Sequence, residues 1–149
     1  MKPSLAAISV APLTSGDIDE AFGLARLAFS ELTPGRWRRI ARRWATGGNL
    51  TSGALLARDA TGRLVGLAPF AVRADLCPGK TLWVERVAAF ALVDSEPVVI
   101  ALAEGLRATA RALDCRRLKV ETGVGDNSLR EALARAPDCV RSTLVESTV

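Results

Sequence analysis

Along this chain the spacing of apolar residues changes period between Glu85 and Ala103, and the other elements are arranged around that change. Upstream, Thr81 to Phe90 (TLWVERVAAF) is dense in β-branched and aromatic residues with no glycine or proline inside it, which predicts a strand. Downstream, Pro97 suits a first helical turn, and Val98, Val99, Leu102, Leu106, Ala110 and Leu113 recur at helical spacing, which predicts a helix over Glu96 to Leu113. A strand that feeds a helix aims the unpaired amides of the helix N-terminus past the strand end, where many folds hold an anion. Here the connecting turn, Leu92 to Pro97, is acidic and contains no glycine.

The same patterns run through the rest of the chain. Ala6 to Pro12 alternates as an edge strand that Pro12 closes. Asp17 and Glu20 form a plausible cap pair for a helix that places Ile18, Phe22, Ala25 and Phe29 on one face. Thr33, Pro34 and Gly35 break it, and Arg36 to Trp44 begins a second helix. Its Trp37, Ile40, Ala41 and Trp44 lie on one side, with Arg36, Arg38, Arg39, Arg42 and Arg43 mostly on the other. After Gly47, Gly48 and Asn49, strands at Ala54 to Arg58 and Leu64 to Ala74 are joined by a turn from Asp59 to Gly62, which predicts a hairpin. Cys77 to Lys80 then returns the chain as the strand carrying Trp83 and Glu85, so three antiparallel strands follow one another. Arg117 to Thr122 is a further strand. Ser128 with Glu131 opens a short helix that Pro137 ends, and Cys139 to Val145 supplies the last strand. The order is β-α-α-β-β-β-α-β-α-β, an α/β arrangement in one unit spanning residues 1–149.

Composition narrows the chemistry. With 149 residues, 49% of them hydrophobic, the chain is long enough to bury a real core without staples. A net charge of +4, carried mostly by arginine, favours solubility and weak attraction to anions without requiring nucleic acid. The arginines of the second helix are a solvated face or a wall that attracts an anion, and nothing around them forms a nucleic-acid-binding motif. Cys77, Cys115 and Cys139 are odd in number and widely spaced, which fits buried thiols in a cytoplasmic protein better than a disulfide framework or a zinc site. The first residues are weak as a secretory signal, and no run approaches membrane-spanning length. There is no histidine and no tyrosine. Histidine triads, histidine-ligated metals and tyrosine acids are therefore excluded, and no metal site is expected. Any proton transfer falls to Asp, Glu, Cys, Lys, a terminal group or water.

With these elements in order, the chain resembles the GCN5-related N-acetyltransferases, the GNAT superfamily, over nearly its whole length. Glu85-Arg86-Val87-Ala88-Ala89 is similar to the strand end E-R-L-A-V of that family, Leu102-Ala103 to its helix start, and Asn127 to the asparagine that opens its next helix. The resemblance implies a mixed, mostly antiparallel sheet flanked by helices, with a cleft beside Glu85 to Ala89. It implies acyl transfer from acetyl-CoA or another acyl-CoA to a small-molecule or peptide amine. Val87, Ala88 and Ala89 would polarise the thioester carbonyl, and Asn127 would stand near the cofactor. Glu85 would be the general base, its alternative being an ion pair with a neighbouring arginine.

At the pyrophosphate loop the chain departs from the family's R-G-x-G-x-G: Asp94 takes the basic position, and Ser95, Pro97 and Val99 replace the glycines. Proline removes an amide donor, and Asp94 and Glu96 repel phosphate, though both suit a helix N-terminus with no ligand present. Two readings follow, an N-acyltransferase with an atypical cofactor loop or a binding module that keeps the fold without ordinary CoA binding; a homodimer stays open in both. The substitutions Asp94→Arg, Glu96→Arg, Pro97→Gly and Val99→Gly together are expected to raise acetyl-CoA affinity at least tenfold, about 1.4 kcal/mol, measured by calorimetric titration.

Overall fold

A computed structural model describes residues 8–46, 51–74, 79–89, 96–122 and 141–146. Seven strands form one sheet: β1 (Ser9–Pro12), β2 (Ser52–Arg58), β3 (Leu64–Ala74), β4 (Lys80–Val84), β5 (Ala88–Ala89), β6 (Cys115–Thr122) and β7 (Arg141–Glu146). Three helices accompany them: α1 (Ile18–Ala28), entered through a 3-10 turn at Ser15–Asp17, α2 (Pro34–Ala45) and α3 (Glu96–Ala112). The sheet order is β1-β2-β3-β4-β6-β7, with β5 paired to β3. The pairs β1–β2, β2–β3, β3–β4 and β3–β5 are antiparallel, whereas β4–β6 and β6–β7 are parallel. The sheet is mixed and mostly antiparallel, as expected. The crossover that the parallel β4–β6 pair requires contains α3. The expected short helix from Ser128 lies outside the described residues.

Alternation along β2 shows why its apolar run is unbroken. Leu55 and Ala57 pack beneath α3, against Val98, Leu102, Leu106 and Ala110. Ala54 and Leu56 face the other way, into a second core with Ile18, Ala21, Leu24 and Ala25 of α1 and with Trp37 and Ala41 of α2. Helices therefore cover both faces, α1 and α2 on one and α3 on the other. Each fully buried leucine at these positions, Leu102 and Leu106 among them, contributes roughly 1.5–3 kcal/mol. Two glycines let α3 lie close to the sheet. A Cβ on Gly66 of β3 would stand 2.8 Å from Val98 Cγ1 and 2.9 Å from Leu102 Cδ1, and one on Gly105 of α3 would stand 2.8 Å from Val10 Cγ1.

Three local expectations change. The first helix is not capped by Asp17 with Glu20. Asp17 stands at the N-cap position of α1 but makes no capping bond there with its side chain; it serves the 3-10 turn instead, whose N-cap Thr14 donates its backbone N–H and its hydroxyl to Asp17 Oδ2, at 2.9 and 2.7 Å. Pro34 does not merely break the chain but is the first residue of α2, whose N-cap, Thr33, accepts from the Arg36 amide at 3.3 Å. The strand expected from Thr81 to Phe90 is divided at Glu85, Arg86 and Val87 into β4 and β5.

Asp17 and Glu20 converge instead on Arg58 of β2. Its guanidinium donates to Asp17 Oδ1 at 2.8 Å, to both Glu20 carboxylate oxygens at 3.0 Å, and to the Gly62 carbonyl at 2.9 Å. The hydrogen bond from Arg58 holds the Glu20 carboxyl below its ordinary value. Partial burial pushes the Asp17 carboxyl up, but hydrogen bonds from Thr14 and Arg58 outweigh it and leave that group lowered as well. Both groups titrate lower folded than unfolded, so their contribution is present above the ordinary carboxylate range and is lost as pH falls through the folded values. Because Arg58 and Glu20 are partly solvated, Arg58→Met is expected to cost only about 1 kcal/mol at neutral pH. In denaturant unfolding across a pH series, the gap between variant and parent should narrow as the pH drops below about 4.

Candidate active site

The site begins with a mismatch in strand pairing. Phe70 of β3 pairs with Val84 of β4, and Leu67 pairs with Ala88 of β5. Three residues, Glu85 to Val87, thus stand opposite two, Ala68 and Pro69, which is a one-residue bulge. Pro69 marks the cause. Val72 donates its amide to the carbonyl of Thr51, just before β2, at 2.6 Å, and along an antiparallel strand successive amides point to alternate neighbours. The amide that Pro69 lacks would therefore have pointed at the β4–β5 side, where pairing fails.

The bulge has consequences on both sides of the strand. Pairing between β4 and β6 ends at Val84 and Val120, whereas β6 continues to pair with β7 as far as Thr122. Among the described residues β5 is paired on its β3 edge alone, so the main chain of Ala88 and Ala89 keeps an open edge towards β6. The final two strands, β6 and β7, stay paired from Arg117 to Thr122, so the open edge lies between β5 and β6. Arg86 turns away and donates to the Ala28 carbonyl at the C-terminal end of α1, at 2.8 Å. That contact satisfies a terminal carbonyl and sets a positive charge at the negative end of the helix. It also ties the bulge to α1.

Glu85, exposed, lines a cleft of about 880 Å³ on the α1–α2 face of the sheet. Pro69, Ala71 and Trp83 contribute the sheet side of its lining. One wall is α2, through Arg36, Trp37, Ile40 and Trp44, and another is the segment from Phe29 to Leu32 that joins α1 to α2. Trp37 is almost wholly buried and donates its indole N–H to the Ile18 carbonyl at 2.7 Å, which fixes α2 against the start of α1. Trp44 meets it edge to face, with centroids 5.9 Å apart and planes at 78°. Across the cleft, Trp83 carries the Arg73 guanidinium 4.8 Å from its ring centroid.

Of the residues singled out in the sequence, Glu85, Val87, Ala88 and Ala89 lie together at the bulge, with Val87 half-buried and Ala88 buried. Among the described residues no arginine pairs with Glu85; its neighbour Arg86 is engaged with α1. Asn127, Asp94, Ser95, Cys77 and Cys139 lie outside the described residues. Glu96 to Val99 form the first turn of α3, where Val98 and Val99 are core residues. Val99→Gly would open that core, so the charge reversals at Asp94 and Glu96 are the part of the loop exchange that spares it. The arginine stripe of α2 is exposed, and α2 packs on the face of the sheet opposite α3. Cys115 is a buried free thiol whose pKa burial pushes up, which suits packing and not reactivity.

The sequence did not reveal that Trp83, Trp44 and Phe29 share one cleft with Glu85. Helical spacing assigned Trp37 and Trp44 to a core face, which is true of Trp37 and half true of Trp44. Their number was the available signal: all three tryptophans of the chain line this cleft.

No protein-family model and no curated protein sequence matches the chain. Solved structures do. An aminoglycoside N-acetyltransferase, AAC(6')-Iy, in complex with CoA superposes with a TM-score of 0.72 over 85% of this chain and 86% of its own, at 13% identity. Glucosamine-6-phosphate N-acetyltransferase from Arabidopsis thaliana gives 0.69 over 88% and 92%, at 14% identity. Ribosomal-protein-alanine N-acetyltransferase from Brucella melitensis gives 0.66 over 89% and 94%, at 20% identity. The chain has the GNAT fold.

The bulge should depend on its tether to α1. Arg86→Gln is expected to lower stability by about 1 kcal/mol and to speed amide hydrogen exchange at Val87 to Ala89, with exchange elsewhere in the sheet unchanged.

Proposed function

We propose that this chain is an acyl-CoA-dependent N-acyltransferase that transfers an acetyl or other acyl group to a primary amine. The observation that carries the reading is the bulge at Glu85 to Val87. Among the described residues it leaves the main chain of Ala88 and Ala89 with an open edge, and it presents a carboxylate to a cleft large enough for a small molecule. The shared fold supports it, since structures of that fold include an acetyltransferase in complex with CoA and others named for amine-bearing substrates.

Each group has one task in this mechanism. Glu85 accepts a proton from the incoming ammonium, directly or through one water, so that the amine nitrogen becomes a nucleophile. Along Val87, Ala88 and Ala89 alternate amides face the open edge, positioned before reaction and therefore able to hold a polarised carbonyl without reorganising. Bound acyl-CoA supplies a thioester whose C–S bond is exchanged for a C–N bond, the sulfur leaving with the second of the two protons that the ammonium gives up. Asn127 stands near the cofactor in the same reading. The acceptor is a small-molecule or peptide amine, and the setting is the cytoplasm, in keeping with the free buried thiol of Cys115. Among the described residues no helix is long and apolar enough to cross a membrane.

Acetyl-CoA at millimolar concentration is expected to raise the melting temperature, because a ligand bound by the native state alone must do so. Glu85→Gln should keep that rise yet lower kcat/KM for acetyl transfer by about 10²-fold or more, followed by release of the CoA thiol. An unchanged melting temperature would favour the other reading, a binding module in which Asp94 and Glu96 exclude CoA.

A further inference from the structure

We propose that the acceptor is a monoamine carried on a flat aromatic body, and not a polyamine or an amino sugar. The inference rests on the acyltransferase reading for the identity of the site but draws on different residues. Every tryptophan of the chain faces the cleft that holds Glu85, and Phe29 joins them. A cleft for a polyhydroxylated or extended polar substrate would need many hydrogen-bonding side chains. Among the described residues that line it, the uncharged polar side chains besides the indoles are those of Ser30 and Ser52, beside Leu32, Ile40, Pro69 and Ala71. Aromatic walls favour a ring, through offset or edge-to-face contacts and through the apolar area that they withdraw from water.

Charge then limits the ligand to a single cation. Two carboxylates, Glu31 and Glu85, and two guanidinium groups, Arg36 and Arg86, line the cleft. Arg86 is held by the Ala28 carbonyl, so Glu85 is free to receive an ammonium at the bulge. For a further positive charge the described lining offers one other carboxylate, Glu31, against Arg36 and the helix that carries exposed Arg38, Arg39, Arg42 and Arg43. A polycation is repelled there, whereas an aromatic monoamine places its one charge at Glu85 and its ring against Trp44 and Trp83.

The chain supplies its own probe. With all three tryptophans at the cleft and no tyrosine elsewhere, intrinsic fluorescence reports on this site. Titration with 2-phenylethylamine should give a saturable change in emission, whereas spermidine and kanamycin should give none in the same range. Trp44→Ala should weaken phenylethylamine binding at least tenfold, and Trp44→Phe, which keeps a ring at that position, should restore most of it. A melting curve establishes that each variant is folded. Spermidine or kanamycin binding as tightly as phenylethylamine would overturn the proposal, as would unchanged binding in a folded Trp44→Ala protein. Binding is read without acetyl-CoA, so the two readings fail separately. Selective phenylethylamine binding with no acetyl transfer would uphold this inference and sink the acyltransferase reading. Stabilisation by acetyl-CoA with no phenylethylamine binding would do the reverse.

Discussion

The absent amide of Pro69 is the constraint on which the site depends. A strand as apolar as Thr81 to Phe90 would ordinarily pair along its whole length, because each unpaired buried amide or carbonyl costs about 1–3 kcal/mol. Opposite a proline one of those pairs cannot form, and an extra residue in the facing strand absorbs the mismatch. The chain loses a rung of its ladder and gains three things at one place. Glu85 faces the cleft, Arg86 reaches α1, and the backbone beyond them is left with an edge that β6 does not cover.

This dependence explains which parts of the molecule could be read from sequence. The helices α1, α2 and α3 and the β2–β3 hairpin follow from local signals: apolar periods of 3.6 and 2, a turn from Asp59 to Gly62, and Pro34 at a helix start. The resemblance carried by Glu85 to Ala89 pointed to the right fold. The interruption within that strand could not be read in the same way. Glu85-Arg86-Val87 contains no glycine or proline, and its partner residue lies sixteen positions upstream of Glu85 in another strand. Arg58 is a similar case. Its carboxylate partners, Asp17 and Glu20, satisfied a local capping pattern so well that a contact across 41 and 38 residues had no sequence signal of its own.

The division of labour between the two faces of the sheet also follows from packing. On one face α3 lies low over β2 and β3 and fills that side with aliphatic side chains. On the other, α1 and α2 enclose a core only as far as Trp37, beyond which aromatic residues continue into the cleft instead of closing it. Trp37 belongs to both regions. Its indole N–H holds the start of α1 while its ring begins the cleft wall, so a buried hydrogen bond anchors the α2 side of that wall.

The glycines beneath α3 bear on how this sequence can drift. A methyl group at Gly66 collides with Val98, Leu102 and Ala57, and one at Gly105 collides with Val10 and Leu55, so the two positions press on separate sets of neighbours. Neither can be relieved by a change at the other. Each glycine is epistatic with its own partners: a larger residue is accommodated at position 66 only as both Val98 and Leu102 give way, and at position 105 only as Val10 does. Lineages of this chain would therefore cross those positions in ordered sets of substitutions, the truncations first, each passing through an intermediate with a small void beneath the helix.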